Sequence, residues 1–133
     1  MPDFFTNNVS DNFRLIRSKP LIGAAATAGT WSLIRLPKWA FVSGLWVWIE
    51  TACNVEDITI GWSGNKETAV PAGFMSADIL NATVVGYKTA VNDTLTSFGQ
   101  KYFGDGQGAI TATLGTTWAS GKITVFCQYS VVH

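Results

Sequence analysis

Hydrophobic and polar residues alternate with a period of two along most of the chain after residue 30. The run Asp57-Ile58-Thr59-Ile60-Gly61-Trp62 is a clear example, because every second side chain in it is apolar. Successive side chains of a strand point to opposite faces of a sheet, so this alternation predicts strands rather than helices. The predicted strands cover residues 31–36, 40–53, 57–62, 83–87, 95–103, 109–114 and 121–132.

Glycine-containing turns separate these strands, as at Gly104-Asp105-Gly106 and Ser120-Gly121. Short strands at regular spacing, divided by such turns, are typical of antiparallel sandwiches and barrels. The pair Ser43-Gly44 interrupts the longest strand and predicts a bulge there. Residues 71–82 depart from the alternation, and their apolar spacing predicts a short helix or an irregular lid.

The first 30 residues differ from the rest of the chain. The polar run 10–12 and the small-residue run 23–29 interrupt any long element, and one alternating patch at 13–17 is a candidate strand. We therefore divide the chain into an extended N-terminal arm, residues 1–30, and a β-sandwich domain, residues 31–133. Residues 1–28 should contain little regular structure and pack on a sheet or a neighbouring subunit. Their apolar anchors would be Phe4, Phe5, Phe13, Leu15 and Ile16.

Two of the predicted strands show which side chains share a face. In the strand 40–53, aliphatic residues from Leu45 to Ile49 alternate with Trp46 and Trp48. In the strand 121–132, Phe126 again lies opposite the aliphatic set. We assign the aliphatic faces to the core, together with both cysteines of the chain, Cys53 and Cys127. This assignment leaves Trp46, Trp48 and Phe126 on an outer face.

Three interpretations of this outer aromatic strip are open. The N-terminal arm or another loop could cover it. It could instead form a subunit interface, since aromatic residues anchor interfaces and large apolar patches are rarely left bare. A sugar-stacking platform is the third interpretation, with Glu50 and Gln128 as the neighbouring polar groups.

Composition narrows the classes of partner. The 133 residues are only 14% charged and have no formal net charge, whereas about 25% is typical. A nucleic-acid-binding protein would show a basic excess, so no nucleic-acid partner is expected. No run approaches the roughly 20 apolar residues that span a bilayer, and no membrane partner is expected. A neutral surface tends to associate, which is typical of a subunit packed against neighbours.

The residues that usually perform catalysis form no recognisable constellation. The lone histidine is His133, and the adjacent Glu56 and Asp57 would point to opposite faces of a strand. Cys53 and Cys127 lack the spacing of a zinc site. We therefore expect no enzymatic activity, no cofactor and no metal. In a reducing cytoplasm both cysteines should remain reduced and buried.

The order of several short motifs resembles a known class of protein. These motifs are the turn Leu36-Pro37-Lys38-Trp39-Ala40, the strand Asp57-Ile58-Thr59-Ile60-Gly61, the loop Ala72-Gly73-Phe74-Met75, the strand Ile110-Thr111-Ala112-Thr113-Leu114 and the closing strand Lys122-Ile123-Thr124-Val125-Phe126-Cys127-Gln128-Tyr129. Over residues 31–132 the chain resembles the small capsid-associated structural proteins of tailed bacteriophages, which decorate or cement the head.

The resemblance implies an all-β fold, a jelly-roll-like antiparallel β-sandwich preceded by the extended arm. It implies a virion location and contacts with the major capsid protein, other virion proteins and copies of the chain itself. A trimer follows by analogy with capsid decoration proteins. A carbohydrate-binding, host-attachment module is the alternative function. The residues assigned to the interface are Phe4, Phe5, Phe13, Trp46, Trp48 and Phe126.

Overall fold

The computed structural model describes residues 13–23, 25–64, 66–89 and 100–132. These residues are almost entirely β-structure. In chain order the elements are β1 (Arg14–Arg17), β2 (Leu21–Ile22), β3 (Gly29–Leu36), β4 (Ala40–Thr51), β5 (Ile58–Gly64), β6 (Glu67–Met75), α1 (Ala77–Leu80), β7 (Gly86–Thr89), β8 (Lys101–Tyr102), β9 (Gly108–Leu114) and β10 (Lys122–Val131).

The strands form two antiparallel sheets. The first sheet has the order β1-β10-β4-β7, with β2 beside β10 and β8 beside β4, and the second has the order β3-β9-β5-β6. The pairs β1·β10, β3·β9, β4·β7 and β5·β6 nest within one another along the sequence. Rolling up one long antiparallel hairpin produces this order, which is that of a jelly roll. The predicted antiparallel β-sandwich is therefore confirmed, and its sheet order is compatible with a jelly roll.

The inward side chains of both sheets meet in one hydrophobic core. Leu45, Val47 and Ile49 of β4 are buried beside Ile123 and Val125 of β10, as the alternation predicted. Each fully buried aliphatic side chain of this kind stabilises the fold by roughly 1.5–3 kcal/mol. The second sheet and the loops contribute the remaining large buried residues, which include Leu36, Ile58, Ile60, Phe74, Phe103, Ile110, Leu114 and Trp118.

The bulge predicted in the longest strand is present. Along the β4·β10 ladder Gln128 lies opposite Gly44, but Tyr129 lies opposite Val42, so Ser43 is the extra residue. The Trp46 ring lies over Gly44, where an added Cβ would approach the ring to 2.6 Å. The absence of a side chain at Gly44 therefore leaves room for the Trp46 ring over its own strand.

Both cysteines are free and buried, as predicted. Cys127 lies between Leu45 of β4 and Ile16 of β1 in the first sheet. Burial raises the pKa of Cys127 from 9.0 to about 12, because a thiolate loses its hydration there. The same cause raises the pKa of Cys53 to about 11. Two protonated thiols in an apolar layer act as small packing groups.

The prediction for residues 71–82 is wrong over its first half. Strand β6 continues to Met75, and the helix is restricted to Ala77–Leu80. Pro71 is tolerated because β6 is an edge strand, where one side of the backbone needs no ladder partner. Phe74 and Met75 are both buried, so both faces of the strand are covered at this end and the alternation disappears.

The candidate strand at residues 13–17 is confirmed as β1, and the arm contains one further short strand, β2. Strands β1 and β2 both pair with β10, on the side away from β4. The main-chain N–H of Ser18 also donates to the carbonyl of Val125 at 2.8 Å. These bonds satisfy backbone groups along an edge of β10 that would otherwise be open. Phe4, Phe5 and most of the predicted strand 95–103 lie outside the described residues.

Candidate interface on the outer face of the first sheet

Strand pairing brings the predicted aromatic residues together. Phe126 lies between Arg17 of β1 and Trp46 of β4. In the next outward row, two residues further along, Trp48 lies between Thr124 and Tyr87. The predicted set Trp46, Trp48 and Phe126 therefore shares one outer face, on which all three side chains are half-buried.

Two residues outside the predicted set complete this surface. Tyr87 is 69% exposed, and its ring lies against that of Trp48 with 4.4 Å between the ring centroids. Leu15, predicted as an anchor of the arm, is 68% exposed and lies beside Gln128. We call the surface formed by Leu15, Trp46, Trp48, Tyr87 and Phe126 the outer aromatic face.

The position of Phe13 separates it from the rest of the predicted interface. It immediately precedes β1, is exposed, and lines neither of the two cavities on this face. Phe4 and Phe5 lie outside the described residues, so the structure brings together three of the six predicted residues. Tyr87 carried a weak sequence signal, since it ends the predicted strand 83–87. Nothing in the sequence showed that this strand would pair with β4.

The first cavity on the outer aromatic face has a volume of about 370 Å³. Apolar and aromatic side chains form most of its wall, and Gln128 supplies an amide. The lining residues are Leu15, Trp46, Tyr87, Phe126 and Gln128. An apolar depression of this kind with exposed aromatic walls fits an apolar or aromatic side chain of a partner.

The second cavity adjoins the first and is more polar. Its volume is about 630 Å³, and Trp48, Tyr87 and Phe126 line part of it. Three cations, Arg17, Lys19 and Lys122, line the remainder together with a single carboxylate, that of Glu50. Lys122 Nζ lies 2.8 Å from Glu50 Oε2, so one of the three positive charges is paired. This end of the face therefore has an excess of positive charge.

The described residues contain neither a cluster of potential metal ligands nor a long apolar helix. Within the described ranges, no group of three or more His, Cys, Asp and Glu side chains is placed to hold a metal ion. In the same part of the chain, no helix is both long enough and apolar enough to span a bilayer. The raised pKa values of Cys53 and Cys127 keep both thiols protonated near neutral pH, where a thiol is a poor nucleophile.

Two solved structures share this fold. A chain of the acidic stable capsid structure of Helicobacter pylori bacteriophage KHP30 matches with a TM-score of 0.60 and 11% identity, over 90% of this chain and 87% of that chain. A chain of the cyanophage Pam1 capsid asymmetric unit matches with a TM-score of 0.56 and 17% identity, over 91% and 86%. No family model and no curated protein matches the sequence.

Both matches cover nearly the whole length of each chain, so the complete sandwich is shared and not one sheet of it. Identities this low define the fold alone. Both structural neighbours come from phage capsid structures, in agreement with the class of protein that the sequence motifs resemble.

Proposed function

We propose that this protein is a structural component of a phage virion that decorates or cements the capsid through protein–protein contacts, without enzymatic activity. The outer aromatic face is the observation on which the proposal rests. It presents Leu15 and Tyr87, which are 68% and 69% exposed, beside three half-buried aromatic rings. Such a patch on a chain of zero net charge is typical of a surface that binds another protein. The likeness to chains of two phage capsid structures supports the same function.

The mechanism would be stabilisation by mass action. A protein that binds the assembled shell and not its dissociated subunits stabilises the shell by about 2.7 kcal/mol per site at a concentration 100 times its Kd. The aromatic rings would act as anchors, because a few buried aromatic residues supply most of the binding energy of an interface. The partners are the major capsid protein or other virion proteins, and copies of this chain.

The proposed assembly is a homotrimer, which sedimentation of the purified protein tests directly. A specific interface should bury at least about 1,000 Å² in total. A protein that sediments as a monomer at every concentration, and that makes only small contacts in the particle, would contradict the trimer.

Binding to capsids that lack the protein tests the decoration proposal. Replacing Phe126 by Ser should weaken capsid binding at least tenfold, or about 1.4 kcal/mol, because an anchor ring is lost. The control is Val84→Ser, which changes an exposed apolar residue outside the face. Equal binding by both variants and the native protein would contradict the proposal, and cryo-electron microscopy of the particle would show the surface in contact.

One observation favours the second candidate, a carbohydrate-binding module for host attachment. The Trp48 and Tyr87 rings lie together at the surface, close to Glu50, Lys122 and Thr124. Aromatic faces beside hydrogen-bonding groups can stack on sugars. Titration with host surface polysaccharide separates the two functions: saturable binding that Tyr87→Ala abolishes would favour attachment, whereas no binding would leave decoration.

A further inference from the structure

The two cavities of the outer aromatic face form one continuous groove along β10. The outward side chains of β10 pass from Gln128 through Phe126 to Lys122. Gln128 lines only the first cavity, Phe126 lines both, and Lys122 lines only the second. Tyr87 also lines both, so Phe126 and Tyr87 form the wall that the cavities share. One partner segment that lies along β10 would therefore fill both cavities.

The chemistry of the groove changes from one end to the other. The first cavity is apolar and aromatic, whereas the second adds the exposed cations Arg17 and Lys19. Among the described residues neither of these two cations forms an ion pair, while Lys122 is already paired with Glu50. Unpaired positive charges beside an apolar cavity favour a partner that supplies both an apolar side chain and a carboxylate.

Ser18 holds the two cations in place at the second cavity. Its side chain is buried, and its main-chain N–H donates to the carbonyl oxygen of Val125 at 2.8 Å. The main-chain N–H of Val125 donates in turn to the Ser18 hydroxyl at 3.0 Å. Arg17 and Lys19 flank this anchored residue, so little ordering of their main chain is needed when a carboxylate binds.

The length of the groove sets the spacing of the groups in the partner. The first cavity extends from Gln128 to Phe126 and the second from Phe126 to Lys122, which is two and four residues, or about 7 and 14 Å. Side chains on one side of an extended segment repeat every two residues, again about 7 Å. An apolar side chain in the first cavity therefore places the side chains two and four positions away over the second.

We propose that the outer aromatic face binds an extended segment of a capsid protein that combines an apolar side chain with carboxylates two and four residues from it. The apolar side chain inserts into the first cavity, and the carboxylates meet Arg17 and Lys19 at the second. The inference rests on the proposed function, because it names the chemistry of the partner at the same face. The apolar side chain is the anchor, and the charges select the partner and its orientation.

Charge reversal tests this chemistry on capsids that lack the protein. The double variant Arg17→Glu with Lys19→Glu should bind at least tenfold more weakly than the native protein in about 0.1 M NaCl. The difference should shrink in about 1 M NaCl, where the Debye length falls from about 10 to about 3 Å. The matched control is Arg35→Glu with Lys66→Glu, which reverses two exposed cations that line neither cavity. Equal binding by the two double variants would overturn the proposal.

Peptide binding to the free protein tests the same chemistry without any capsid. The probe is the acetylated and amidated peptide Glu-Ser-Glu-Ser-Phe-Ser-Glu-Ser-Glu, and the indole N–H signals of Trp46 and Trp48 in NMR spectra are the readout. We expect saturable shifts that weaken at least tenfold when Gln replaces every Glu or when Ala replaces Phe, and that disappear in the Arg17→Glu, Lys19→Glu variant. Equal binding of the Glu and Gln peptides, or no binding of any peptide, would overturn the proposal. So would saturable binding of polygalacturonate without binding of the Glu peptide, which would assign the cations to an acidic polysaccharide.

Two results separate this inference from the proposed function. Peptide binding that needs both Phe and Glu, in a protein that binds no capsid, would refute decoration and leave the recognition of an apolar and acidic segment standing. Capsid binding that neither salt nor the reversal of Arg17 and Lys19 changes would leave decoration standing and refute the inference. Loss of self-association on sedimentation of the same variant, with capsid binding intact, would assign the groove to a neighbouring copy and also refute it.

Discussion

The buried thiol of Cys127 should make this protein lose stability at alkaline pH. In the unfolded chain its pKa is the ordinary 9.0, whereas burial in the first sheet raises the pKa to about 12. Between these values the unfolded state releases a proton that the folded state retains. Mass action then favours unfolding, so the stability present below pH 9 is lost as the pH rises toward 12.

The size of the loss follows from the same two values. Each pH unit between them costs about 1.4 kcal/mol, so moving from pH 8 to pH 10 should lower the free energy of unfolding by about 1.4 kcal/mol from Cys127. Urea denaturation in reducing buffer at pH 8, 9 and 10 measures this change. Cys53, whose pKa burial raises to about 11, contributes in the same direction.

A matched variant isolates the contribution of the Cys127 thiol from that of the rest of the chain. Cys127→Ala should be less stable at pH 8, because it leaves a small cavity, but its stability should fall less steeply with pH. The difference between the two slopes is the predicted quantity. Parallel slopes for the native protein and the variant would refute the reasoning that burial holds this thiol protonated.

Three further predictions concern packing and the arm. Gly61→Ala would place a Cβ 1.9 Å from the carbonyl oxygen of Val70 in β6. Urea denaturation should show that the free energy of unfolding falls by about 1–3 kcal/mol. A variant as stable as the native protein would contradict the close approach of β6 to Gly61. Lys101 of the first sheet contacts the second sheet, with its Nζ 2.9 Å from Glu67 Oε2 and 4.9 Å from the centroid of the Trp62 ring. Lys101→Ala should therefore lower the free energy of unfolding by about 1–2 kcal/mol in the same assay. An unchanged free energy of unfolding would show that this contact between the sheets contributes nothing. Deleting residues 1–12 should weaken capsid binding by more than it lowers the urea midpoint, and unchanged capsid affinity would show that the arm is not needed.

The alternation in the sequence is enough to predict which side of each central strand faces the core. Aliphatic residues alternate with Trp46 and Trp48 in β4 and with Phe126 in β10. The structure buries the aliphatic residues of both strands. Alternation is a local property, because adjacent side chains of any strand point to opposite faces. The all-β class, the bulge at Ser43 and the burial of both cysteines follow from the same local information.

The sequence did not predict the strands in which hydrophobic and polar residues do not alternate. The spacing of Phe74, Met75, Ile79 and Leu80 fits helical turns, but Phe74 and Met75 are the buried end of β6. The strand assignment depends on β5, whose Ile60 lies opposite Met75. Similarly, β2 is too short to show a period, and only its pairing with β10 makes it a strand.

The candidate site was decided by the tertiary structure. Leu15 reaches the outer aromatic face because β1 pairs with β10, and Tyr87 reaches it because β7 pairs with β4. Both pairings join segments that are far apart in the chain, and their register depends on the packing of the whole sandwich. A single sequence specifies the outward residues of each strand, but only the rolled-up sheet order determines which outward residues become neighbours and which charges surround them.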